Sequence, residues 1–199
     1  MTAVVELRIS SAVEPWERIG LQVVDGVAHI GGVTLRFQPG DEGVVAWGLA
    51  DSPTQPDSID GLSTFHVRHH SEPTQVHPLR IVGFDHVVVM TSSLERTCGA
   101  IQDATGEELR RIREAGPVRQ GFHRLGELIV EVVETAQVTA PEAAFWGFVW
   151  NVEDLYEACE HIGPELVSLP KPAVQSGRFI ATVKSSAGLG VPLALMTPR

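Results

Sequence analysis

Cysteine is scarce in this chain. Only Cys98 and Cys159 occur among 199 residues. Two thiols cannot build a disulfide scaffold, so a reducing, cytoplasmic setting is expected. Basic residues are outnumbered, 15 Lys and Arg against 25 Asp and Glu, for a net charge of −10. Nucleic acid and anionic membranes call for basic patches, so neither is an expected partner. No apolar run reaches the roughly 18 residues that span a bilayer. The opening "MTAVVELRISSAVEP" has no basic segment leading into an apolar stretch, so a signal peptide is not expected. Glycine-rich phosphate loops and a nucleophile elbow are missing too. What remains is ordinary globular material, 43% hydrophobic and 20% charged, ample for a core.

The C-terminal part repeats itself. Shifting the chain by 61 positions lays "FDHVVVMTSSLERTC" over "FWGFVWNVEDLYEAC", matching Phe84 with Phe145, Leu94 with Leu155 and Cys98 with Cys159. In both copies an apolar strand runs into a polar turn. Ser92-Ser93 and Glu153-Asp154 offer N-cap oxygens for helices over 93–104 and 153–162. Gly106 and Gly163 stand where a helix C-terminus favours glycine. Leu94, Cys98 and Ile101 form one apolar face, as do Leu155, Cys159 and Ile162. Three strand-like runs follow each helix: "ELRRIREAG", "RQGFHRL" and "ELIVEVVE", then "ELVSLPKPAV", "RFIATVKSS" and "VPLALM". Each copy therefore reads βαβββ.

Residues 1–50 read as a shorter third βαβββ-like module. "VVELRI" is a strand, "AVEPWERIG" a short helix, "LQVVDGVAHIGGVTLRF" a hairpin and "GVVAWGLA" a last strand. Residues 51–79, rich in Pro, Ser and Asp, read as loop or linker. The modules are then 80–138 and 139–199.

Two tandem βαβββ modules, with "FDHVVV…SLERT" opening the first and "LIVEVVE" closing it, resemble the vicinal oxygen chelate superfamily. That group includes glyoxalase I, extradiol dioxygenases, and fosfomycin- and bleomycin-resistance proteins. The resemblance covers residues 80–198 and, more loosely, the N-terminal third. It implies an α+β fold whose mostly antiparallel strands curl into an open cup around a small ligand. In metal-using members each module offers one ligand from its first strand and one from its last. Carried onto this sequence, those positions are His86 and Glu131 in the first module. In the second they are Gly147 and Ala194, which cannot bind metal through a side chain. The metal implied is one divalent ion (zinc, iron, manganese, nickel or magnesium), and a metal-free cup stands as the alternative.

The residues themselves leave several roles open. His86 heads an apolar strand and is either a ligand or a histidine hydrogen-bonded to backbone. Glu131 interrupts an apolar run, so it faces water or a partner, and if buried it suits a general base. His123 is a candidate third ligand or substrate contact, whereas Glu134, three positions beyond Glu131, belongs to the other strand face. In "RRIR", Arg111 and Arg113 share a face and form either a solvated surface or a cationic wall for a carboxylate or enolate. Trp146 and Trp150, four apart, are expected on one face, as core or as a stacking surface for a ligand. His66, His69, His70 and His77 match no zinc spacing and read as a solvated loop. The cysteines sit at matching buried helix positions and are expected to be inert.

Two functions follow. One is an enzyme of the glyoxalase or dioxygenase type (a lyase, isomerase or dioxygenase) acting on a small organic molecule, with metal on His86 and Glu131 polarising substrate oxygens. The other is a metal-free binding or sequestering protein with an aromatic and apolar cup. An odd number of modules leaves one sheet edge unpaired, from which a homodimer is expected.

Overall fold

The computed structural model describes residues 1–68 and 75–198. Among the described residues two sheets contain fourteen strands. The eight-stranded sheet is built from the two modules read in the sequence. In the first, strand β7 (Ile81–Thr91) leads through helix α2 (Leu94–Thr105) to β8 (Arg111–Ala115), β9 (Val118–Leu125) and β10 (Leu128–Thr135). In the second, β11 (Ala144–Val152) leads through α3 (Leu155–Ile162) to β12 (Lys171–Pro172), β13 (Phe179–Thr182) and β14 (Leu193–Met196). The spatial order is β12-β13-β14-β11-β7-β10-β9-β8. Strands β10 and β14 run parallel to the opening strand of their own module, and the two opening strands meet antiparallel at the centre.

The helices start and stop where the sequence signals them. The Ser93 hydroxyl accepts from the Arg96 N–H, and the Asp154 carboxylate accepts from the Tyr156 and Glu157 N–H groups. Gly106 ends α2 in the left-handed region at φ 73°. Gly121 of β9 lets α2 lie close, since a Cβ there would stand 2.7 Å from Cys98 Sγ.

The N-terminal region departs from a single shorter module. Its strands are β1 (Ala3–Ser10), β2 (Val27–Ile30), β3 (Val33–Gln38), β4 (Gly43–Ala50), β5 (Ser58–Ile59) and β6 (Leu62–His66), with the short helix α1 (Glu14–Arg18) after β1. They form one sheet in the order β2-β3-β1-β4-β6-β5. Here β3, not β4, runs parallel to β1 and closes the first unit, as β10 does beside β7. Strand β4 pairs antiparallel with β1, as β11 does with β7, and β6 runs parallel to β4. The six-stranded sheet thus repeats the middle of the eight-stranded one in reduced form. Part of the stretch read as linker is a hairpin, with strand at 58–59 and 62–66. The N-terminal region therefore counts as two reduced units rather than one.

The two sheets share one apolar core. Trp16 of α1 contacts Phe148 and Trp150 of β11 at ring-centroid distances of 5.9 and 5.8 Å, and Trp47 of β4 meets Phe145 edge-on at 5.3 Å. Val87, Val89, Val130, Val132, Phe148 and Trp150 are buried on this side of the eight-stranded sheet. Burying aromatic rings of this size contributes several kcal/mol, by roughly 25 cal/mol per Å². The N-terminal sheet accordingly lies against the back of the module pair. The other face, with His86, Val88 and Glu131 at alternating positions, forms the cup.

Candidate functional site

The cup is shaped by strand alternation in the first module. Register places Glu131 beside Val88 on one side and Phe122 on the other, and Phe122 beside Arg111 of β8. His86 lies one pleat away, beside Ile129 of β10 and Val149 of β11. Arg113 follows Arg111 on the same face and pairs with Gln120. These side chains enclose a cavity of about 340 Å³, lined by His86, Glu131, Arg111, Arg113, Phe122 and Ile129, with Asp85 at its floor and Val174 and Gln175 at its rim.

At the floor, polar groups connect in a line. His86 Nε2 lies 3.2 Å from Glu131 Oε2, and both side chains are nearly buried. His86 Nδ1 lies 2.8 Å from Asp85 Oδ2. The other Asp85 oxygen meets Arg178 Nη1 at 2.8 Å. Arg178 is held in turn by the Asn151 side-chain oxygen at 2.6 Å and the Thr197 carbonyl. On the far side the Gln120 amide donates to Glu131 Oε1. Asp85 and His86 are neighbours in sequence, yet both line the cavity. The reason is a bulge: His86 pairs with Val149 and Phe84 with Trp150, so Asp85 is an extra residue in β7.

The electrostatics divide the two carboxyl groups. Burial opposes the charge on Asp85, but the His86 and Arg178 contacts together outweigh it and hold the group well below the usual carboxylate range. Glu131 goes the other way. Burial pushes its carboxyl up, and His86, Arg113 and Gln120 only partly counter this. Asp85 stands against Nδ1 of His86, and the ring's other nitrogen, Nε2, faces Glu131.

Among the side chains singled out in the sequence, the structure brings His86, Glu131, Arg111 and Arg113 together. It sends three others elsewhere. His123, next to cup-facing Phe122, points to the opposite face, where it is 1% exposed and bonds the Glu107 carbonyl through Nδ1. Trp150 is fully buried in the core between the sheets. Trp146 is half-exposed and lines no part of the cavity. The two tryptophans do not share a face, because residue 146 is an extra residue in β11: Phe145 pairs with Val89 and Gly147 with Val88. Glu134 is on the helix side, as alternation requires, accepting from the Leu94 N–H at 2.7 Å. His66 bonds the Pro56 carbonyl from β6. His77, read as solvated, is instead buried between the Gln22 N–H and the His29 carbonyl. His69 and His70 lie outside the described residues. The sequence reading missed Asp85, Arg178 and Gln120. An acid beside His86 in an otherwise apolar strand was the available signal for the first.

Comparison with solved structures bears on the fold. A methylmalonyl-CoA epimerase from Mycobacterium tuberculosis aligns with 60% of this chain and 90% of its own, at 14% identity and a TM-score of 0.51. A methylmalonyl-CoA epimerase variant from Streptomyces coelicolor, in complex with 2-nitronate-propionyl-CoA, aligns with 59% and 94%, at 15% identity and a TM-score of 0.49. No family model and no curated protein matches the sequence. The chain has the vicinal oxygen chelate fold.

The metal set that the superfamily resemblance implies does not fit these residues. Register confirms the repeat positions: His86–Val149 is mirrored by Val88–Gly147, and Val88–Glu131 by Val149–Ala194. Gly147 has no room for any side chain, since a Cβ would lie 2.2 Å from the Pro192 carbonyl oxygen. Among the described residues no group of three or more His, Cys, Asp or Glu is placed to hold an ion. Two donors fall short of the three or four protein ligands that zinc or non-haem iron ordinarily takes.

Proposed function

We propose that this vicinal oxygen chelate protein is an acid–base enzyme that moves a proton on a small organic molecule held in the cup. The observation that carries this reading is the His86 Nε2–Glu131 Oε2 pair, 3.2 Å apart at the floor of the 340 Å³ cavity. A carboxyl group whose pKa is raised by burial is a stronger base once ionised than one in water, and it returns a proton readily. Glu131 is the group that takes a proton from substrate carbon next to a carbonyl, leaving an enolate. His86 exchanges that proton through Nε2 while Asp85 keeps the Nδ1 proton in place. The fold likeness comes at 14% identity, so the chemistry rests on this chain's own side chains.

The reading as a sequestering protein expected an aromatic cup. Phe122 is the one Phe, Tyr or Trp lining the cavity among the described residues, and this supports the catalytic reading over it.

The test is solvent deuterium exchange, followed by NMR, into a panel of small 2-oxo acids and 2-substituted malonates. Exchange is expected with the parent protein and a loss of about 10²–10⁴-fold in Glu131→Gln, the usual contribution of a positioned general base. Exchange unchanged in Glu131→Gln, or none with any compound, overturns the reading.

A further inference from the structure

We propose that Arg111 and Arg113 form an oxyanion subsite that takes the carboxylate of a small organic acid, placing its carbon skeleton over Glu131. This deepens the proton-transfer reading and names its substrate class.

The argument starts from charge economy. The chain carries ten more acidic than basic side chains. Arg8, Arg36, Arg80, Arg96, Arg110, Arg119, Arg124 and Arg178 each have a carboxylate within 4.0 Å. Among the described residues Arg18, Arg68, Arg111 and Arg113 have none, and of these four Arg111 and Arg113 line the cavity. Alternation on β8 turns the two guanidinium groups the same way, two residues apart, across from Phe122 and Gln120 of β9. Guanidinium groups bind carboxylates bidentately, so a free pair at a cavity wall is suited to an anion the protein does not itself supply. Cavity size restricts what enters. About 340 Å³ is near the low end of the ~300–1,000 Å³ usual for ligand sites, which suits a compact acid or the compact head of a longer molecule.

Malonate serves as the probe, titrated calorimetrically into the full chain, with inorganic phosphate in a parallel arm. Malonate is expected to bind at pH 7, where both of its carboxyl groups are ionised. Arg111→Gln and Arg113→Gln, both at well-exposed or half-exposed strand positions, are each expected to weaken it at least tenfold. Glu131→Gln is expected to keep the binding and lose deuterium exchange. Malonate affinity unchanged in both arginine variants overturns the subsite, even if Glu131→Gln still abolishes exchange and leaves the proton-transfer reading intact. Phosphate binding as tightly as malonate overturns the carboxylate assignment.

Discussion

Asp85→Asn tests the polar line beneath the cup most severely. Asp85 and Arg178 are 1% and 8% exposed at the side chain and 2.8 Å apart, so solvent screens their interaction little. Removing one partner of a buried ion pair ordinarily costs about 3–5 kcal/mol, because the other charge stays buried without compensation. Bonds from Arg178 to Asn151 and Thr197 remain, which favours the lower end, about 3 kcal/mol. For a chain of this size each kcal/mol moves Tm by roughly 2–4 °C, so a fall of about 6–12 °C is expected. The assay is thermal unfolding by circular dichroism at pH 7, repeated down to pH 3. Asp85 has a lowered folded pKa, so its stabilisation is present above the ordinary carboxylate range and is lost as pH falls toward the folded value. The gap between parent and variant therefore narrows below about pH 4. Arg178→Met is expected to cost a similar amount. Asp85→Asn with Arg178→Met, which removes both charges, is expected to cost at least about 1 kcal/mol less than the two single changes summed. A cost below about 1 kcal/mol for Asp85→Asn, or additive singles, refutes the reasoning.

Further outcomes follow from other parts of the structure. Glu131 has a raised folded pKa, so the folded state loses stability as pH rises from the ordinary glutamate range through that value; Glu131→Gln is expected to unfold at the same or higher urea concentration than the parent at pH 7, with the slope across that window gone. Gly147→Ala, whose Cβ would strike the Pro192 carbonyl, is expected to lower Tm by several degrees, and a neutral result in a melting scan disproves the close approach. Burial pushes the Cys98 thiol up to about 12, so Ellman's reagent is expected to leave it unmodified until denaturant is added. Trp150→Ala opens the shared core and is expected to cost about 3–5 kcal/mol in urea denaturation, against under 1 for Trp146→Ala at its half-exposed bulge.

What the sequence by itself determined was local and periodic. The 61-residue repeat, the caps at Ser93 and Asp154, and the alternation of Arg111 with Arg113 rest on neighbouring residues, and they appear in the structure at the places the sequence marks. His86 and Glu131 were legible for the same reason, as polar interruptions of apolar strands. The rest depended on register between distant strands. A single extra residue at Asp85 turns an acid next to His86 into the cup beside it, and another at Trp146 separates two tryptophans that simple spacing puts on one face. Arg178 lies 93 positions after Asp85 and finds it only because β11 and β14 carry the second module against the first. That β3 and not β4 runs parallel to β1 is likewise invisible locally, since either strand is long enough to take that place. Side-chain period is a property of one strand, whereas bulges and strand order are set by which alternative packs the whole core, and that choice exists only in the folded chain.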